Sequence, residues 1–153
     1  MTDISIVDFT ANYRQAFRDL NYEWIEKYFA VEESDRKMLE NPQGYIIDKG
    51  GAVLIALLNG EPVGTCALIK MDDEKYELAK MAVSPKAQGK KIGYLLGEAT
   101  LEKARELGGK MVYLETNSSL TPAINLYKKL GFSDTCGNDS PYSRCDVQME
   151  IEL

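Results

Sequence analysis

KMAVSPKAQGKKIGYLLGEATLEKARELGG, residues Lys80 to Gly109, is the stretch on which the reading of this chain turns. It begins strand-like, in KMAV. Past Pro85 come Gln88, Gly89, Lys90, Lys91 and Gly93. Apolar residues then recur at Ile92, Leu95, Leu96, Ala99, Ala104 and Leu107, the spacing of one helix face, until Gly108 and Gly109 end the run. The order is strand, glycine-bearing turn, helix. Lys86, Lys90 and Lys91 make the turn cationic, and no acid occurs from Ser84 to Gly97, in a chain of formal charge -6. A helix N-terminus leaves backbone N–H groups without intrahelical partners and presents the positive end of the helix dipole. Such a turn can hold a phosphate, with Gly89 allowing close backbone approach. The alternative is a plain connection with solvated lysines. Two other phosphate-binding patterns, GxxxxGK followed by Ser or Thr and GxGxxG, do not occur.

Upstream, alternation at Ile4 and Ile6 predicts an opening strand. Phe17, Leu20, Trp24, Ile25 and Tyr28 then fall at helical spacing between Asn12 and Phe29, and EESDRKMLEN predicts a second, short helix ending near Asn41 and Pro42. GGAVLIALLNGEPVGTCALIKMDDEKYELAKMAVSP reads as three strands joined by tight turns at NGEP and MDDEK, an antiparallel meander. Downstream, KMVYLET is rich in β-formers. TPAINLYKKLGF predicts a helix with Thr121 as N-cap, Pro122 at the first helical position, Gly131 as stop, and Ile124, Tyr127 and Leu130 on its apolar face. The tail from Phe132 to Leu153 supplies two more strands, of which SRCDVQMEIEL is the clearer.

Composition narrows the chemistry. The 153 residues suit one domain, residues 1–153, with no linker or repeat. The longest apolar run, Ala52 to Leu58, is too short to span a bilayer, and MTDISIVDF lacks the pattern of a signal peptide, so the expectation is a soluble, cytoplasmic protein without a membrane partner. Cys66, Cys136 and Cys145 are odd in number and lack metal-ligand spacing, which predicts reduced thiols and no metal site. Histidine is absent, which removes Ser-His-Asp and Cys-His catalysis. Proton transfer falls to Glu, Asp, Tyr, Lys or water. Net acidity without a long basic face argues against nucleic acid as a partner.

With its surroundings, the turn resembles motif A of the GNAT superfamily, the acyl-CoA-dependent N-acetyltransferases. That motif is a strand ending in Val, a loop carrying Pro, then Gln or Arg, two residues, Gly, one residue, and Gly or Ala. Val83, Pro85, Gln88, Gly89 and Gly93 carry the likeness, while Lys91 stands where the pattern has its middle glycine. YLETNSSLTPAINLYKKLGF resembles motif B through Asn117, the helix holding Ala123 and Tyr127, and the closing Leu130, Gly131 and Phe132. Together the motifs cover residues 77–132. The resemblance implies an α/β (α+β) GNAT-like fold, a mixed sheet of about six to seven strands flanked by about four helices, with a splayed strand pair binding CoA.

It also implies a reaction: acetyl-CoA as co-substrate, and direct transfer of its acetyl group to a primary amine without a metal. Carried over by position, Gln88, Gly89, Lys90, Lys91, Ile92, Gly93 and Tyr94 would hold the pyrophosphate. Met81, Ala82 and Val83 would line the pantetheine arm, with an N–H near Met81 or Ala82 polarising the thioester carbonyl. Asn117 would contact the arm, or serve as a turn residue in TNSS. Tyr127 matches the family's proton donor, or fills the core beside Ile124 and Leu130. Glu77 is the base on the cleft strand, sharing by alternation a face with Ala79, Met81 and Val83, or belongs to a solvated hairpin end. Acceptor-side residues are Tyr22, Trp24, Tyr28, Tyr142 and Arg144. The partners implied are the CoA thioester and an amine, the chain being a monomer or homodimer. Two alternatives share these residues: a module that binds acyl-CoA without turnover, and an acetyltransferase for protein N-termini or lysines.

Overall fold

The computed structural model describes residues 3–135 and 147–153, so Cys136, Tyr142, Arg144 and Cys145 lie outside the described residues. In chain order the elements are β1 (Ile4–Asp8), α1 (Arg14–Tyr28), α2 (Glu33–Glu40), β2 (Ala52–Leu58), β3 (Glu61–Lys70), β4 (Lys75–Val83), α3 (Ile92–Glu106), β5 (Met111–Thr116), α4 (Thr121–Leu130), β6 (Ser133–Asp134) and β7 (Val147–Glu152). They form one mixed sheet of seven strands in the order β1-β2-β3-β4-β5-β7-β6. All neighbours are antiparallel except β4 and β5, which are parallel. The meander, the two early helices and the two tail strands stand as the sequence predicts. Among the described residues no helix is long and apolar enough to cross a membrane.

The sheet is covered on both faces, which explains the unbroken apolar run of β2. Val53 and Ile55 pack with Phe17, Ile25, Leu39 and Ile46 from the α1 and α2 side. Leu54 and Ala56 belong to the opposite cluster, with Ile92, Leu96 and Ala104 of α3 and with Phe132. Helices α3 and α4 approach closely at Gly97, where an added Cβ would lie 2.4 Å from Leu130 Cδ1.

Two departures from regular structure position the site. Lys80 in β4 has φ +53°. Around it the β3–β4 pairing steps from Ala67↔Ala79 to Thr65↔Ala82, so one extra residue sits on β4. Such a bulge reverses which residues share a face. Tyr76, Leu78, Met81 and Val83 all pack toward α3, so the face changes between Leu78 and Met81. The expectation that Glu77 and Ala79 share a face with Met81 and Val83 is therefore corrected: strict alternation holds only up to the bulge. The second departure lies between the parallel strands. Pairing of β4 with β5 is confined to Lys75↔Met111, Tyr76↔Val112 and Glu77↔Tyr113, although β4 runs on to Val83 and β5 to Thr116. Strand β5 stays paired with β7 along its whole length and β4 with β3 on both sides of the kink at Lys80, so the gap opens between two parts of the sheet that each remain paired.

Candidate active site

The gap is a narrow slot with walls from four directions. Glu77, Lys80 and Met81 come from β4, Glu115 and Thr116 from β5, Leu120, Ala123 and Tyr127 from α4 and its approach, and Asn21, Trp24 and Phe29 from α1 and its end. Because the strands have parted, the slot runs from one face of the sheet toward the other. Tyr127 packs against the α3-side cluster, its ring edge-on to Phe132 at 6.0 Å and 68°. Glu77, one register position before the buried Leu78, lies on the other face.

Both groups are electrostatically altered. Burial, and then the neighbouring carboxylate of Glu115, push Glu77 up to about 7, with Lys80 partly opposing them. A carboxyl at that value can both take and release a proton near neutral pH. Burial drives the Tyr127 phenol well above its ordinary value, so it remains protonated.

Next to the slot lies an open groove of about 520 Å³, in the size range of ligand sites. Val83, Gln88, Gly89, Lys91, Gly93 and Tyr94 form one wall, and Pro122, Asn125, Leu126 and Lys129 of α4 the other. Gly89 has φ +83° and Lys91, the residue that begins α3, has φ +60° and ψ +22°. The position where the motif has its middle glycine is thus left-handed in this chain, with a lysine holding it. The first intrahelical bond of α3 runs from Leu95 N–H to Lys91 O, 3.1 Å. No acid lies in the first turn and no side chain caps it, so the N–H groups of Ile92, Gly93 and Tyr94 keep their anion-binding capacity. Lys86 instead pairs with Glu61, and neither it nor Lys90 lines the groove.

The remaining predicted positions are scattered. Ala82 is buried and lines neither cavity. Asn117 lines the slot, with its Oδ1 accepting from Ser119 N–H at 2.9 Å and Ser119 Oγ at 2.6 Å, the turn role left open in the sequence. Trp24 reaches the slot. Tyr28 packs tilted against Trp24 at 5.2 Å outside it, and Tyr22 donates to Glu40 Oε2 at 2.6 Å, its phenol pushed up to about 12 by burial and by that carboxylate. Cys66 is a buried core thiol pushed up to about 12, so it stays protonated. The sequence reading missed Glu115, Lys80, Phe29 and Lys129. Of these, Glu115 was within reach, because it lies one residue before the end of the strand that was predicted to flank the arm.

In this seven-stranded sheet the two parallel strands part, and an uncapped helix N-terminus opens beside the gap. The chain belongs to the acetyltransferase (GNAT) family, whose model matches residues 16–132. It is 36% identical over 109 residues to the uncharacterized N-acetyltransferase YjgM of Escherichia coli, covering 68% of this chain and 65% of that one. It is 38% identical over 101 residues to the IAA acetyltransferase of Azospirillum brasilense, covering 65% of each. The matched segment therefore spans just under two thirds of either relative. Among solved structures, a GNAT-family acetyltransferase from Staphylococcus aureus superposes with a TM-score of 0.89 at 23% identity, covering 99% of both chains. A phosphinothricin acetyltransferase from Sinorhizobium meliloti, in complex with acetyl-CoA, superposes at 0.80 and 19% identity, covering 98% of this chain and 88% of that one.

Proposed function

We propose that this protein transfers an acetyl group from acetyl-CoA to the primary amine of a small molecule, with Glu77 as base and Tyr127 as acid. The observation that carries the reading is the parted pair β4 and β5, with a carboxyl on one face of the gap and a phenol on the other. The residues fit the thioester. The turn at Gln88 to Gly93 offers backbone donors to a pyrophosphate, Lys91 and Lys129 add charge at the groove, and the freed edge of β4 at Met81 to Val83 offers main-chain groups to an amide-bearing arm. That the Sinorhizobium meliloti protein of the same fold is a complex with acetyl-CoA supports this assignment.

Acetyl-CoA supplies an activated acetyl group, and the reaction exchanges its C–S bond for a C–N bond. Glu77 takes a proton from the amine as that bond forms, working from the α1 and α2 face. Tyr127 gives its phenolic proton to the departing sulfur from the α4 side, so acid and base do not compete for one proton. An N–H of the bulged segment near Met81 polarises the carbonyl. Glu77 and Glu115 make the slot acidic and Trp24 and Phe29 wall it, which favours a cationic amine with an apolar body over an anionic acceptor.

The test is release of free CoA thiol from acetyl-CoA across a panel of small amines, peptides and protein N-termini, read together with product mass. Turnover of small amines that falls at least about 100-fold in Tyr127→Phe supports the reading. Full activity in that variant removes Tyr127 as acid. Tight CoA binding with no acceptor turned over replaces the enzyme with a binding module, and turnover confined to proteins changes the substrate class.

A further inference from the structure

Lys80 is unusual in two independent ways. Among the described residues, Asn59, Lys80 and Lys91 are the non-glycine residues with positive φ. Asn59 sits in the NG turn between β2 and β3, where that conformation is ordinary, and Lys91 opens a helix. Lys80 lies inside a strand. Its side chain is also nearly inaccessible, 4% exposed, and its Nζ lies 2.5 Å from Oδ1 of Asp35, which is fully buried. The other Asp35 oxygen, Oδ2, accepts the N–H of Glu32 at 2.9 Å in the capping box that starts α2. Asp35 is therefore fixed by backbone before it meets the lysine.

A kink alone would be met more cheaply by glycine, and a buried contact by apolar packing, because desolvating two charges commonly outweighs their attraction. The pair must do something that neither substitute supplies. It joins the bulge of β4 to the first turn of α2, which follows the Phe29 wall of the slot.

We propose that Lys80 is a positioning residue: clasped by Asp35, it fixes the kink that parts β4 from β5 and couples the acceptor wall to the thioester site. The proposal rests on the acetyltransferase reading only for the meaning of the gap. Its second consequence is electrostatic. Glu77 is faced by Glu115 from β5, by Lys80 with Asp35 behind it on α2, and by Tyr127 across the slot from α4, whereas α1 contributes Asn21 and Trp24, which do not titrate. The held ammonium keeps Glu77 partly ionised near neutral pH.

The experiment compares wild type with the double variant Asp35→Asn, Lys80→Met, which removes both buried charges at once. Three quantities are read: affinity for acetyl-CoA by calorimetry, the Glu77 midpoint by carboxyl carbon NMR, and hydrogen exchange at the Met81 and Ala82 amides. The double variant is expected to fold, to bind acetyl-CoA at least about tenfold more weakly, to titrate Glu77 at higher pH and to exchange both amides faster. Wild-type affinity, midpoint and exchange in a folded double variant overturn the proposal. Should wild type itself bind no acetyl-CoA, the functional reading fails, and amide exchange with the Glu77 midpoint still decides the positioning role. If the double variant does not fold, Lys80→Arg decides: slow amide exchange, from an arginine that still reaches Asp35, supports the clasp, and fast exchange in a folded protein contradicts it.

Discussion

Lys91→Gly should stabilise the protein and leave its anion-binding turn working. Lys91 holds φ +60° and ψ +22° at the entrance to α3. An L-residue in that region carries roughly 1 to 2 kcal/mol of steric cost that glycine avoids. Glycine gives back about 0.5 to 1 kcal/mol through the greater freedom of its unfolded chain, leaving a net gain of up to about 1.5 kcal/mol. For a chain of 153 residues that amounts to a rise in Tm of up to about 6 °C. If the turn binds pyrophosphate through backbone N–H groups, CoA affinity should change by less than about tenfold, most of it at low salt, because only the screened charge of an exposed lysine is lost. Thermal unfolding and calorimetric titration with CoA measure both. Lys80→Gly is the internal control, because it relieves a similar φ of +53° but removes the ammonium that faces the buried Asp35 Oδ1. Breaking a buried pair costs roughly 3 to 5 kcal/mol, so the sign should reverse. A lower Tm in Lys91→Gly, or a collapse of CoA affinity, would refute the reasoning: the first would deny the strain, the second would give the side chain the role assigned to the backbone.

Glu77→Gln should abolish turnover that depends on a base while stabilising the fold at alkaline pH. A carboxyl held at about 7 against an ordinary 4.5 favours the protonated folded state, so wild type loses stability as pH rises from 4.5 through 7, by up to roughly 3 kcal/mol, and the variant does not. Urea unfolding across that range measures it. Glu115→Gln should move the acidic limb of the pH–rate profile to lower pH, since Glu115 is the charge that raises Glu77; an unmoved limb contradicts the assignment of Glu77 as base. Gly97→Ala should cost about 1 to 3 kcal/mol in denaturant unfolding, because its Cβ would lie 2.4 Å from Leu130 Cδ1 and the α3–α4 contact must loosen.

Much of this was legible in the chain because the signals were local. Gly89 and the lysines beside it mark a cationic turn, Ile92 to Leu107 keep one helical period, and NGEP and MDDEK read as tight turns. What stayed hidden required either parity or distance. Periodicity assumes that strand faces alternate without interruption, and the bulge at Lys80 carries no compositional mark, so Glu77 was grouped with Met81. Asp35 and Lys80 are 45 residues apart and meet only after α2 docks on the sheet. Helix boundaries slipped by a residue for a similar reason. Thr121 has the chemistry of an N-cap, yet Leu120 occupies that position and Thr121 is the first helical residue, because Asn117 and Ser119 already satisfy the preceding turn. Glu115 was read only as part of a β-forming run, although its place one residue before the end of the strand beside the arm put it within reach.

Where acetyl-CoA sits is decided most directly by a crystal structure of the protein with that molecule bound. The expected result has the pyrophosphate on the N–H groups of the Gln88 to Gly93 turn, the arm along Met81 to Val83 in the gap between β4 and β5, and the thioester between Glu77 and Tyr127. A cofactor bound elsewhere, or a gap closed by continued pairing of β4 with β5, contradicts it.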